Sequence, residues 1–175
     1  VALLLACAPG AVWAAGAQEY QIKAAFLLNF VRFAEWPSAA FADDAAPLRI
    51  GVLGEDPFGA ALDATVQGET VRNRPLIVQR ARRLDELAGC QVVFVARSEQ
   101  ARVAGIIAEL GQRPVLSVSD IDAFAAAGGV IGFYADGNRV RFEIDAAGAQ
   151  RRQLRLSAQL LHLGRPVVSA PESGR

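Results

Sequence analysis

A chain of 175 residues that is 53% hydrophobic can build one domain with a substantial core. Eighteen basic and eighteen acidic residues cancel, so no field of one sign argues for nucleic acid or an anionic membrane surface. A single histidine and two cysteines leave little material for a metal centre.

Residues 1–17 carry no charge, have an apolar run broken by Pro9 and Gly10, and end in Ala15-Gly16-Ala17. This is the pattern of the hydrophobic and cleavage regions of a secretory signal whose basic start lies outside the sequence, with the cut expected between Ala17 and Gln18. The run is too short and interrupted for a membrane span. "LLAC" offers a rival lipoprotein reading through Cys7, but Ala-Gly-Ala accounts for more of the segment. The mature protein is therefore expected to be exported. If Cys7 leaves with the signal, Cys90 is the one remaining thiol and no internal disulfide can form. Cys90 opens the strand-like "CQVVFVA" and reads as a small buried apolar residue. The other reading, a reactive or intermolecular thiol, has no basic or histidine neighbour in sequence to support it.

From residue 19 to residue 36 the pattern is helical. Phe26, Phe30 and Phe33 fall at i, i+4 and i+7, with Leu27, Val31 and Ala34 on the flank, and Trp36-Pro37 ends the run. Lys23 lies between the two apolar stripes. Its stem either packs while the ammonium escapes beside Glu19, or the cation faces a partner or ligand; the first reading is preferred. After the loop "PSAAFADDAAP", strand-like runs at 48–53, 75–79, 91–96 and 114–118 alternate with helical candidates at 59–66, 84–88, 99–110 and 121–127. The runs are continuously apolar, as strands covered on both faces are, which predicts a mostly parallel sheet. "VIGFYADGNRVRFEID" reads as a hairpin around Ala-Asp-Gly-Asn. Its second arm alternates Val140, Phe142 and Ile144 with Arg139, Arg141 and Glu143, which predicts one wet face and an edge position. One helix is then expected over 146–163, with Leu154, Ala158 and Leu161 beside Leu156, Leu160 and Leu163, and with Arg151, Arg155, Gln159 and His162 opposite. The expected fold class is α/β: a single domain over 18–168 with a mostly parallel central sheet, helices on both faces and an antiparallel hairpin at one edge. Residues 169–175 read as a flexible tail.

The stretch "RIGVLGEDPFGAALD" is the best candidate for a phosphate-binding turn, and it fails on its own residues. Glu55 and Asp56 would repel a phosphate, and Pro57 removes an N–H donor. Asp56 as N-cap with Pro57 at the first helical position explains the stretch better. Ser157 and His162 are five apart on one expected helix and so lie on different faces. A structural role accounts for each carboxylate, with Asp43 and Asp44 in a loop, Asp120 and Asp122 at an expected helix start, Asp136 in the turn, and Glu143 and Asp145 along the second arm. No catalytic, cofactor or metal residues are assigned, and an enzyme is not expected. What remains is a binding or regulatory domain, its partner surface assigned to Arg139, Arg141, Glu143, Arg151 and Arg155, with Lys23 second. The alternative is a sensor with a small-molecule crevice beyond the carboxyl ends of the strands, at Asp56, Phe58, Gly59, Ser98 and Asp120.

The order of the motifs "EYQIKAAFLLNFVRFAEWP", "IGVLGEDPFGAALD", "NRPLIVQRA", "CQVVFVARSE", "VLSVSD", "FAAAGGVIGFY" and "NRVRFEIDAAGAQRRQLRLSAQLLHL" resembles the YfiR family of small periplasmic regulators, over about residues 19–168. The resemblance implies a secreted, non-enzymatic α/β domain in the periplasm. It implies binding to the periplasmic region of an inner-membrane diguanylate cyclase, repression of it, and lower cyclic di-GMP; other membrane sensors are alternative targets. An OmpA/Pal-like outer-membrane lipoprotein is the implied antagonist, and a redox-sensitive homodimer the implied assembly. Cys90 matches a family cysteine position, but the mature chain has no partner for it, so redox control by an internal disulfide is not expected.

Overall fold

The continuous apolar runs do build a parallel sheet. The computed structural model describes residues 10–167, with side chains from Gly16 onward. Strands β2 (Leu48–Leu53), β4 (Arg74–Ala81), β5 (Val92–Val95), β6 (Leu116–Ser119) and β7 (Ile131–Asp136) lie parallel in the order β4-β2-β5-β6-β7. β8 (Arg139–Ile144) returns antiparallel on β7, with Phe133 opposite Phe142. Two-residue strands finish both edges: β3 (Thr70–Val71), antiparallel on β4, and β10 (Arg165–Pro166), parallel on β8. Edges this short offer little template for pairing with another chain. The hairpin thus lies next to the edge, with β10 outside it.

Because strand residues alternate between faces, the sheet feeds two cores. Leu48, Ile50, Val52, Val92, Phe94, Leu116 and Val118 point to one face. There α1 (Gly10–Phe33) lies with α2 (Ala60–Val66), and Phe26 and Phe30 meet Phe133 and Phe142 at ring separations of 4.9–5.9 Å. Leu53, Val93 and Val95 point to the other face, against α3 (Val103–Leu110) and the 3-10 turn Leu84–Leu87. Helices therefore cover both faces, as the sequence predicts.

Several elements differ from expectation, each for a local reason. α1 ends at Phe33, and Ala34–Glu35 instead form β1. The helix expected over 146–163 is broken into α4 (Ala146–Arg151), β9 (Arg155–Leu156) and α5 (Ala158–Leu163). Asp145 caps α4 by accepting from Gly148 N at 2.8 Å, and Ser157 caps α5 by accepting from Leu160 N at 3.2 Å. Between the caps, Gln153 takes a positive φ of 60° and β9 pairs antiparallel with β1. Residues 121–127 are turns rather than a helix, and Arg97–Arg102 is a 3-10 segment ahead of α3. Asp56 does not cap α2, which starts at Ala60 behind Gly59. Its Oδ1 accepts from Phe58 N at 2.8 Å and its Oδ2 from Arg80 Nε at 2.6 Å, which turns the loop back on itself.

Cys90 is a free thiol buried in the second core. Burial raises its pKa to about 11, with the Arg49 charge pulling weakly the other way. A Cβ on Gly51 would stand 3.1 Å from its Sγ and from both Leu87 methyls. Gly51→Ala is expected to cost about 1–2 kcal/mol by overpacking, read as a lower urea midpoint at unchanged slope. The Cys90 thiol is expected to ignore an aromatic disulfide reagent at pH near 8 until the protein is unfolded. Rapid reaction of the native protein would contradict this placement.

Candidate functional site

Asp120 follows the last residue of β6 and carries its carboxylate under α1. Spacing on α1 brings two side chains to it, Tyr20 and Lys23 at i and i+3, and sets Glu19 one turn before Lys23 at i−4. Lys23 Nζ donates to Asp120 Oδ2 at 2.6 Å, and the Tyr20 hydroxyl donates to the same oxygen at 2.7 Å. Glu19 Oε1 lies 2.5 Å from the ammonium on its solvent side, and Arg97 Nε stands 3.5 Å from Asp120 Oδ2. Nζ also sits 4.3 Å from the Tyr20 ring centre. Tyr20 in turn packs edge-on against Phe58, and Phe58 against Phe94, at 5.4 and 4.7 Å. The ion pair is thereby seated on the first core.

Lys23 and Asp120 are both almost fully buried. Burial alone would raise the Asp120 pKa; the hydrogen bonds from Lys23 and Tyr20, with the charges of Lys23 and Arg97, outweigh it and the pKa falls below the ordinary value. For Tyr20 the shift is upward, first from burial and then from its bond to Asp120. The preferred expectation for Lys23, an ammonium escaping to water, is corrected: the pairing with Glu19 is present, and a buried carboxylate takes the inner side.

Around this pair opens a cleft of about 490 Å³. α1 contributes Gln18, Glu19 and Ile22, the hairpin contributes Phe133, Tyr134, Arg139 and Val140, and Arg97 opens the 3-10 segment after β5. Of the residues singled out in the sequence, Lys23, Asp120 and Arg139 come together here. Arg141 lies on the wet face of the hairpin, 3.7 Å from Asp136. Glu143 accepts from Arg165 at 2.7 Å, and Arg165 stacks 4.3 Å from the Tyr134 ring centre. Arg151 stands 3.4 Å from Asp145. Arg155 sits opposite Glu35 in β9 and borders a second hollow of about 460 Å³ with Trp36. Trp36 Nε1 donates to Gln91 O, just before β5, so this arginine lies towards the amino ends of the strands, away from the hairpin tip.

The other crevice residues pack the loops together and do not line this cleft. Phe58 is buried, Gly59 precedes α2, and Asp56 is held by Arg80. Ser98 Oγ accepts from Glu55 N at 2.9 Å, and a Cβ on Gly54 would meet that oxygen at 2.5 Å. The acidic turn is neutralised from within: Arg80 also reaches Asp63, whose pKa falls chiefly through that hydrogen bond. Among the described residues no group of three or more His, Cys, Asp or Glu could hold a metal ion.

Removing one partner of a buried pair leaves the other charge stranded. Asp120→Ala is expected to cost about 3 kcal/mol in urea titrations near neutral pH. The depressed Asp120 pKa stabilises the fold above the unfolded carboxylate value of about 3.9 and ceases to do so as pH falls through the native value. The gap between parent and Asp120→Ala should accordingly close in acid. The double replacement Lys23→Met with Asp120→Leu should recover most of the loss; equal costs for single and double variants would show that the pair is not the cause.

A search of curated proteins found no match. A family model described as YfiR/HmsC-like matches residues 20–165. The match begins at Tyr20, the first α1 residue bound to Asp120, and ends at Arg165 in β10, so it takes in both cores, all but the last residue of the sheet, and the cleft lining from Ile22 onward. With the model matched over residues 20–165 of the 175, the chain belongs to the YfiR/HmsC-like family.

Proposed function

We propose that this chain is a periplasmic adaptor that binds the periplasmic region of an inner-membrane signalling protein, first of all a diguanylate cyclase, and represses it to lower cyclic di-GMP. Family membership carries the reading: the YfiR/HmsC-like theme is periplasmic regulation of cyclic di-GMP signalling. Repression of this kind needs tighter binding to the inactive state than to the active one; moving an equilibrium from 99:1 to 1:99 takes about 5.5 kcal/mol of differential binding.

Export by cleavage between Ala17 and Gln18 suits the packing. Ala17, Gln18 and Glu19 are exposed, and from Gly16 onward, where side chains are described, the α1 residues packed against the first core begin at Tyr20. Among the described residues no helix is long and apolar enough to cross a membrane. For the partner surface, the wet side of the hairpin is the better part of the expected stretch. Arg139 and Arg141 stand there with Tyr134, Glu143 and Arg165, and arginine and tyrosine are enriched at interfaces. Arg151 and Arg155 form a separate group, and Lys23 is engaged inside the fold. Release by an OmpA/Pal-like lipoprotein and assembly as a homodimer belong to the same proposal, and two separated arginine groups give room for more than one contact.

The test is co-expression with the membrane cyclase encoded nearest to this chain, reading cellular cyclic di-GMP and capture of the cyclase's periplasmic region. Arg139→Glu with Arg141→Glu is expected to abolish capture and raise cyclic di-GMP several-fold at unchanged protein level. Full repression by that variant would exclude the hairpin face, and no repression by the parent chain would exclude the target.

A further inference from the structure

We propose that the cleft between α1 and the β7–β8 hairpin is a binding site for a small amphiphilic organic acid, its carboxylate on Arg139 and Arg97 and its apolar chain against Ile22, Phe133 and Val140. The inference goes beyond the adaptor reading and does not require it.

The sign of the ligand follows from which charges are already engaged. Lys23, Arg97 and Arg139 line the cleft with Glu19 and Asp120. Lys23 is saturated between the two carboxylates, at 2.5 and 2.6 Å. Asp120 Oδ2 already takes Lys23 and Tyr20. Its Oδ1 has no hydrogen-bond partner, but with less than 1 Å² of exposed surface it is closed to a ligand. Glu19 spends Oε1 on Lys23, whose ammonium offsets its charge, so the three cations of the cleft outnumber its two carboxylates. The two guanidiniums differ. Arg97 is 56% exposed and holds Asp120 and Asp122 only at 3.5 and 4.0 Å. Arg139 is exposed at the hairpin tip and makes no ion pair among the described residues. A planar guanidinium is well shaped to hold a carboxylate through two parallel bonds.

The apolar part of the ligand follows from the hydrophobic residues that both walls contribute. Ile22 is 42% exposed, one of few large hydrophobic side chains left so among the described residues. It borders the cleft with Phe133 and Val140, and a volume of about 490 Å³ falls in the range of small-molecule sites. Covering that wall should strengthen binding by up to about fourfold per buried methylene. A carboxylate on a short chain meets both demands; a purely polar anion meets only one.

The experiment is amide NMR titration of the mature chain with hexanoate, butanoate, hexylamine and hexanol, none of which involves a protein partner. Hexanoate is expected to give saturable shifts at Ile22, Phe133, Arg139 and Val140 and to bind several-fold tighter than butanoate. It should exceed hexylamine and hexanol by about tenfold, the loss of one charge-assisted pair. Arg139→Gln should weaken hexanoate by about the same factor at unchanged melting temperature, and Arg141→Gln should leave it unchanged. Ile22→Ser should erase the preference of hexanoate over butanoate. Shifts that fail to saturate, hexylamine matching hexanoate, or indifference to Arg139→Gln would each overturn the proposal. Absence of repression by the parent chain in cells, with hexanoate binding intact, would count against the adaptor reading alone.

Discussion

The placement of α1 depends on one buried charge pair. A helix with Phe26, Phe30, Leu27 and Val31 on a broad apolar arc could settle on an apolar sheet in several rotations. A buried ammonium has one acceptable arrangement, and Asp120 supplies it at the carboxyl end of β6. The stabilisation such a pair adds over apolar residues is small, whereas leaving either charge unpaired is costly. What the pair confers here is position: it fixes the depth and rotation of α1, and with them the wall of the cleft.

The other end of α1 is held by backbone. Ser157 N donates to Phe33 O at 2.9 Å, β1 pairs with β9, and Arg72 donates to Ala34 O at 2.8 Å. Arginines repeatedly serve as internal ties. Arg74 reaches the carbonyls of Asp43 and Ala46, Arg80 the loop before α2, and Arg152 the carbonyls of Gly148 and Gly128. Arg102 closes on Glu99. Balanced total charge therefore hides a division of labour. Many cations are committed to loops, which sets Arg139, with no such tie, apart from them.

The architecture was legible wherever a pattern is local. Continuous apolar runs announced buried parallel strands, phenylalanine spacing announced α1, and Ala-Asp-Gly-Asn announced the hairpin. The hub of the site was not legible, because Lys23 and Asp120 are 97 residues apart and nothing in the neighbourhood of either names the other. The available sign was a lysine lying between two apolar stripes. The last helix failed for a different reason. Leucine periodicity ran across 154–163, yet Asp145 and Ser157 are both strong caps, and a backbone ladder with β1 was open to the residues between them. Asp56 failed in the same way, because Arg80, 24 residues on, offered its carboxylate a better partner than a helix start.

The two ends of the folded unit have unequal surroundings. Gln18 borders the cleft, whereas Val167 leaves beside Ile144, at the end of the hairpin away from its tip. A tag or fluorophore attached at Gln18 of the cleaved chain would stand beside the cleft. A fusion following residue 167 departs from the far side. For immobilisation, labelling or tethering to a reporter, an attachment made at residue 167 is the one that starts away from the cleft.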